Sequence, residues 1–282
     1  MNRSSGPRTP RPSWPKRSVK RLRTRDTRTW QELRDLGIRL EEQTGVPAYA
    51  GQGASYEGMV VNYLEYLWGA GGDLFNADQS EVLFGTTDAA LRALEFMREA
   101  QASGFYHPGY TTMTEAEARP AFESGQAIFM RHWVSPYRQM AGPEGQIADK
   151  LGIAPLPTFD GADTVSAVGG YNLAVSAFSD QKDLAKEFIR FAALDEDVQR
   201  LIAETGLPPA MESVYAQFPD DPAFQLLARV LPHSRARPPV PQWNAISATM
   251  QTELFAAYTG QKEPQAAIDA IRQKLQEVVD DK

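Results

Sequence analysis

The sequence predicts an α/β fold, and three observations point there. Short apolar runs that read as strands alternate with longer segments of helical period. The 282 residues are enough for about two domains with a substantial buried core. At 42% hydrophobic and 23% charged residues, the composition is that of a globular chain.

The elements follow in order. Trp30, Leu33, Leu36 and Leu40 recur at helical spacing, and Gly45-Val46-Pro47 ends that helix. Tyr56, Met59, Val60, Tyr63, Leu64, Leu67 and Trp68 trace one face of a second helix, stopped by the run Gly69 to Gly72. A loop over Asp73 to Thr87 leads to a third helix, Asp88 to Ala102, with Leu91, Leu94 and Met97 inward. A short helix, Glu115 to Glu123, precedes a strand at Ala127 to Met130. Strands are also expected at Leu151 to Leu156 and Gly170 to Ser176.

Helices are then predicted at Lys182–Leu194, with Leu184, Phe188 and Ile189 inward, and at Glu196–Glu204. Gly206 to Pro209 is a break, and Ser213 to Arg229 holds further short helices. Three prolines in Arg235 to Pro241 demand an extended crossing segment. Helices Gln242–Thr259 and Pro264–Val279 close the chain.

Charge divides the chain unevenly. Residues 1–29 carry eight Arg and two Lys against Asp26 alone, whereas the remainder has a net charge of −16. The first segment has only Val19 and Leu22 as aliphatic residues, so it cannot bury a core and reads as a disordered leader. It lacks the apolar run of a secretory signal. The acidic remainder argues against nucleic acid as a partner.

Most catalytic and metal templates fail. The absence of cysteine excludes disulfides, thiolate metal sites and Cys nucleophiles, and three scattered histidines make a His-built zinc site a poor fit. No phosphate-binding glycine loop, GxSxG or HExxH occurs, so no catalytic residue, metal or cofactor is implied. A carboxylate pair for glycoside hydrolysis stays open, but 36 acidic residues make chance pairings easy. An interaction protein with a basic arm is a second alternative.

What does stand out is a set of aromatic and polar residues at element ends: Trp68, Trp133, Tyr171, Arg237 and Trp243. Aromatic faces stack on the C–H faces of sugar rings, and Arg and carboxylates hydrogen-bond hydroxyls in pairs. Each has a plainer reading. Trp68, Tyr63 and Tyr66 read as core, Trp243 as a helix-start contact, and Glu57 and Glu65 as solvated or capping side chains. For Trp133 and Tyr171 packing and ligand contact are equally open.

Longer strings add a resemblance. Residues 52–59 (QGASYEGM) leading to 65–72 (EYLWGAGG) resemble a signature of trehalose/maltose-type sugar-binding proteins. In the same order follow residues 122–127 (FESGQA), 130–133 (MRHW), 151–157 (LGIAPLP), 169–176 (GGYNLAVS), 185–189 (AKEFI) and 237–243 (RPPVPQW). The likeness covers about residues 29–282, and the combination is specific although each piece is common.

That family comprises solute-binding subunits of ABC importers, with a periplasmic-binding-protein type II-like fold of two α/β lobes closing on a ligand by hinge motion. The resemblance implies a disaccharide or short oligosaccharide ligand, membrane permease subunits as partners, no enzymatic activity, a monomer and an extracytoplasmic location. It implies Trp133 and Tyr171 as sugar-stacking aromatics, the Gly170 backbone against a hydroxyl, Arg237 as a forked donor and Glu115 as an acceptor. Tyr171 departs from the tryptophan common at that position. The match also lacks the family's first-lobe N-terminal part. The expected organisation is a second lobe over 30–165 and 235–282 and a returning part of the first lobe over 166–234, which would expose a sheet edge and an unfilled core.

Overall fold

The computed structural model describes residues 27–142, 145, 147–148, 150–161 and 164–281. The predicted leader, residues 1–29, lies outside the described residues except for its last three.

Helix α1 (Trp30–Thr44) starts where Thr29 and Glu32 form a capping box: the Glu32 amide donates to Thr29 Oγ1 at 3.2 Å, and the Glu32 carboxylate accepts from the Thr29 amide at 3.0 Å. It ends at Gly45 in the left-handed conformation, φ 70°. Trp30, Leu33 and Leu40 are buried as their spacing predicts. After the short strand β1 (Tyr49–Ala50), helix α2 (Glu57–Gly69) is buried on every side from Gly58 to Trp68. A helix buried all round belongs at the centre of a core, and its buried polar members, Asn62 and Glu65, are both hydrogen-bonded there.

Helices α3 (Ala89–Ala102) and α10 (Trp243–Tyr258) pack on α2, and α11 (Pro264–Asp280) packs against both of them. Met59, Leu64 and Leu67 are fully buried here, each worth about 1.5–3 kcal/mol. Tyr63 and Tyr66 are core, as read from their spacing. An aromatic cluster extends this core, with Trp30 edge-on to Tyr66 at 4.5 Å and Tyr106 stacked on Tyr110 at 4.0 Å.

Helix α4 (Glu115–Glu123), capped by Thr114, leads to strand β2 (Phe129–Met130). β2 runs parallel to β1 with Tyr49 opposite Phe129 and Ala50 opposite Met130. A five-residue helix, α5 (Tyr137–Ala141), follows. The expected strand Leu151 to Leu156 does not form a ladder. Pro155 and Pro157 have no N–H to donate, and only Thr158 bridges back to Thr29.

Two segments then cross side by side. Strand β3 (Ala167–Val168) pairs in parallel with β4 (Arg235–Ala236), Ala167 opposite Arg235 and Val168 opposite Ala236. Between them lie α6 (Lys182–Leu194), α7 (Glu196–Glu204), α8 (Glu212–Tyr215) and α9 (Pro222–Val230). These helices sit where the sequence predicts them. Ala203, Val214, Tyr215 and Phe224 form a small separate core.

Two expectations fail in this stretch. Gly170 to Ser176 is not a strand: the backbone of residues 170–175 bonds no other described residue, and Tyr171 and Leu173 are exposed. Helix α6 buries nothing. Leu184 and Phe188, expected inward, are 67% and 60% exposed, Phe191 and Leu194 are exposed beside them, and Ile189 is half-buried. The alternating and helical patterns are both present, yet no described residue supplies the surface they are patterned to meet.

Candidate ligand site

The segment after β2 carries the first elements of a site. Arg131 is buried and holds Glu65 of α2 in a forked ion pair, Nη2 to Oε1 at 2.7 Å and Nε to Oε2 at 2.9 Å. Its Nη1 donates to Gln52 Oε1 at 3.1 Å, and the Asn62 amide donates to the Gln52 carbonyl at 2.9 Å. Burial works against the guanidinium charge, but the carboxylate outweighs it and raises the Arg131 pKa. Glu65 is therefore not a solvated side chain. Its Oε1 also accepts the Ala167 N–H of β3 at 3.1 Å.

Trp133 stands two residues on, half-buried, with the Arg131 guanidinium 4.8 Å from its ring centroid. Its Nε1 donates to Glu115 Oε1 at 2.9 Å, and Tyr56 OH donates to Glu115 Oε2 at 2.7 Å. Desolvation pushes the Glu115 pKa up, but these two donors outweigh it and the net shift is downward. The Tyr56 hydroxyl is pushed up by burial and by the same carboxylate. Glu115 is thus an ionised acceptor that fixes the indole edge. Gly169 lies against the ring: a Cβ there would be 3.0 Å from Trp133 Cη2, so any side chain would press the indole aside by a few tenths of an ångström.

Arg237 follows β4 directly, and its Nη1 donates to Glu57 Oε1 at 2.7 Å. Trp243 Nε1 donates to the same oxygen at 3.0 Å, and Ser247 Oγ donates to Glu57 Oε2. Glu57, read as a solvated or capping residue, is instead the hub that joins the crossing segment to α2 and α10. Trp68 is core, and its Nε1 reaches Asp73 Oδ1 at 3.2 Å. Asp73 Oδ2 in turn accepts from Arg235 Nη1 of β4 at 2.9 Å.

The structure therefore unites Trp133 with Glu115, and places Gly169 against Trp133 beside the crossing strands that lead to Arg237. It does not bring Tyr171 to them. Tyr171 projects fully into solvent, and nothing lies within 4 Å of a Cβ built on Gly170. Sequence reasoning missed Tyr56, Glu57, Glu65 and Arg131 as site-forming residues. Tyr56, Glu57, Glu65 and Arg131 all lay inside the quoted strings, which was the available signal. A separate open cleft of about 760 Å³ lies between α5 and residues 217–222, away from Trp133 and Arg237. Among the described residues no group of three or more His, Asp or Glu could hold a metal. No described helix is long and apolar enough to cross a membrane.

Comparison with known proteins bears on what this geometry serves. Residues 19–199 match the family described as bacterial extracellular solute-binding protein. A probable ABC transporter-binding protein of Deinococcus radiodurans is 27% identical over 263 residues, covering 88% of this chain and 61% of the relative. Maltose-bound MalE3 of T. maritima superposes with a TM-score of 0.81 at 32% identity, over 89% of this chain and 65% of that one. A solute-binding protein of Thermotoga lettingae bound with α-D-tagatose gives a TM-score of 0.78 at 26% identity, again over 65% of its length. The chain thus spans about three fifths to two thirds of the length of these three relatives.

Proposed function

Because the chain belongs to the bacterial extracellular solute-binding family, with a periplasmic-binding-protein type II-like α/β fold over the part it spans, we propose that it takes part in sugar capture for an ABC importer. The ligand in this reading is a disaccharide or short oligosaccharide of maltose or trehalose type. The partners are the importer's membrane permease subunits, the location is extracytoplasmic, and no bond of the ligand is broken.

One observation carries the reading. Trp133 presents an indole whose edge is pinned by Glu115, beside a glycine-lined crossing of two strands, with Arg237 at the end of one of them. Such a pre-oriented aromatic face suits the apolar side of a pyranose ring, and Arg237 has donors beyond the one given to Glu57 for a pair of hydroxyls. The maltose-bound T. maritima protein, at 32% identity, supports the sugar class. Tyr171 would complete the stack only after residues 170–176 swing towards Trp133, with Gly169 already against the ring.

The lobes are read as residues 30–165 with 235–282, and residues 166–234, joined by the β3–β4 crossing; closure about that crossing would bring the two sides onto the ligand. On the second side, Tyr171 stands in solvent and α6 buries no residue among the described residues. Affinity of the 282-residue chain for maltose is accordingly expected near the millimolar range, about −4 kcal/mol. Isothermal titration with maltose and trehalose, using Trp133→Ala as the control, tests both parts. Micromolar affinity would refute the single-wall argument, and binding unaffected by Trp133→Ala would refute the site.

A further inference from the structure

The buried pair Glu65–Arg131 does more than neutralise itself. Glu65 Oε1 serves two donors at once, Arg131 Nη2 at 2.7 Å and the Ala167 N–H of the crossing strand at 3.1 Å. The same guanidinium lies 4.8 Å from the Trp133 ring centroid and bonds Gln52. Glu65 and Arg131 are 4% and 5% exposed, and Gln52 is fully buried. A path of direct contacts therefore runs Trp133, Arg131, Glu65, Ala167, from the aromatic platform to the first residue of β3.

We propose that Glu65 and Arg131 are positioning residues that mechanically couple Trp133 to the β3 crossing, so that orienting the indole and setting the crossing strand are one event. The ligand part of this inference rests on Trp133 being the platform; the coupling itself does not. The geometry favours it for three reasons. Both ends share one carboxylate oxygen, so a shift of Arg131 that keeps its fork must rotate Glu65 and disturb the Ala167 bond. Glu65 and Arg131 are almost wholly withdrawn from solvent, so their hydrogen bonds act in a low dielectric and the orientation of each group is set by the others. The benzo edge of the indole also meets Gly169, two residues beyond Ala167 on the same segment, so the platform approaches the crossing both through the ion pair and directly.

Arginine is essential to this arrangement in a way lysine is not. A planar fork reaches both carboxylate oxygens and Gln52 while its face covers the ring, whereas an ammonium supplies charge without orientation. The test is Arg131→Lys in the full chain. Two signals are read: Trp133 emission and acrylamide quenching, isolated by subtracting Trp133→Phe, and hydrogen exchange of the Ala167 amide. Exchange of α10 and α11 amides reports whether the core is intact.

With the core intact, the expected result is a more quenchable Trp133 together with faster exchange at Ala167. A pair that only balances charge would be rescued by lysine, and both signals staying at their wild-type values would overturn the proposal. So would movement of one signal without the other. Should Arg131→Lys lose α10 and α11 protection, Glu65→Asp keeps the charge with a shorter reach and is judged by the same two signals. Maltose titration of the wild-type chain is a separate arm. Where the chain binds maltose, Arg131→Lys weakens binding about tenfold. Where it binds none, the ligand reading fails and the two signals still decide the coupling.

Discussion

The bare face of α6 gives the sharpest quantitative test of this structure. Leu184, Phe188, Phe191 and Leu194 lie 57–68% exposed on one side of a helix that buries no residue. Consider replacing Phe188 and Phe191 together by alanine. Their exposures of 60% and 57% leave about four-tenths of each ring buried. Full burial of a Phe side chain is worth about 1.5–3 kcal/mol, so each ring contributes about 0.6–1.2 kcal/mol here. The double variant should therefore cost only about 1–2.5 kcal/mol, less whatever alanine returns in helix propensity. In a filled core the same two substitutions would cost about 6–10 kcal/mol. Urea unfolding separates these values easily, since extrapolation errors are about 10–15% of the total. The wild-type chain should also bind an apolar fluorescent dye, and the variant should bind less of it. A loss above about 5 kcal/mol, or an unfolding midpoint that rises with protein concentration, would show the face covered in solution and refute the bare-face description.

Other outcomes follow from the site. Glu115 has a folded-state pKa below its ordinary 4.5, so the stability it contributes is present above that value and fades as pH falls through the lower folded value. Glu115→Gln should flatten the acid side of a stability–pH curve measured by urea unfolding; an unchanged slope would contradict the assigned hydrogen bonds. Gly169→Val should displace Trp133, visible as a shift in its emission relative to Trp133→Phe, because the added carbons enter space already filled by Cη2 and Cζ3. Glu57→Ala strands donors on Trp243 and Ser247 and releases Arg237, and should cost about 1–3 kcal/mol in thermal or urea unfolding.

The helices of the main core were legible because period alone decides them. Trp30, Leu33 and Leu40, or the apolar run of α2, face inward wherever the rest of the chain packs. Strands obey a different rule. Residues 170–176 have the alternation and residues 151–156 the apolar content, but a ladder needs a partner with free N–H groups. Pro155 and Pro157 withhold theirs, and no described residue pairs with 170–175. The carboxylates were misjudged for a related reason. Glu57 and Glu65 sit on a helix whose local spacing says nothing of partners at Arg131, Arg237, Trp243 and Ser247, from 66 to 190 residues away. Trp133 and Glu115 were both named as ligand contacts, yet their hydrogen bond to each other was not foreseen, since strand-end and helix positions give no distance between them.

One short stretch concentrates the chemistry, and its place in the fold explains why. β2 ends at Met130 and α5 begins at Tyr137; the Arg131 amide still donates to the Ala50 carbonyl of β1 at 3.0 Å, which fixes its backbone, and the residues after it leave the pairing for a loop. Arg131 points to Glu65 and, through it, to the crossing strand; Trp133 turns to Glu115 and Gly169. Arg138, on the first turn of α5, reaches in another direction. Its Nε meets Asp221 Oδ2 at 2.6 Å, its guanidinium lies 5.2 and 5.0 Å from the Phe218 and Phe224 ring centroids, and Nη1 donates to the Glu204 carbonyl. Asp221 is itself the cap of α9, accepting from the Ala223 and Phe224 amides, so this arginine grips a helix start that is already rigid. Residues 131–138 thus tie the main core to the 166–234 stretch at two places, with Trp133 between them. The β3–β4 pairing and the Arg235–Asp73 bond add further ties, so a shift of the 166–234 stretch relative to the main core pulls on the segment that carries Trp133.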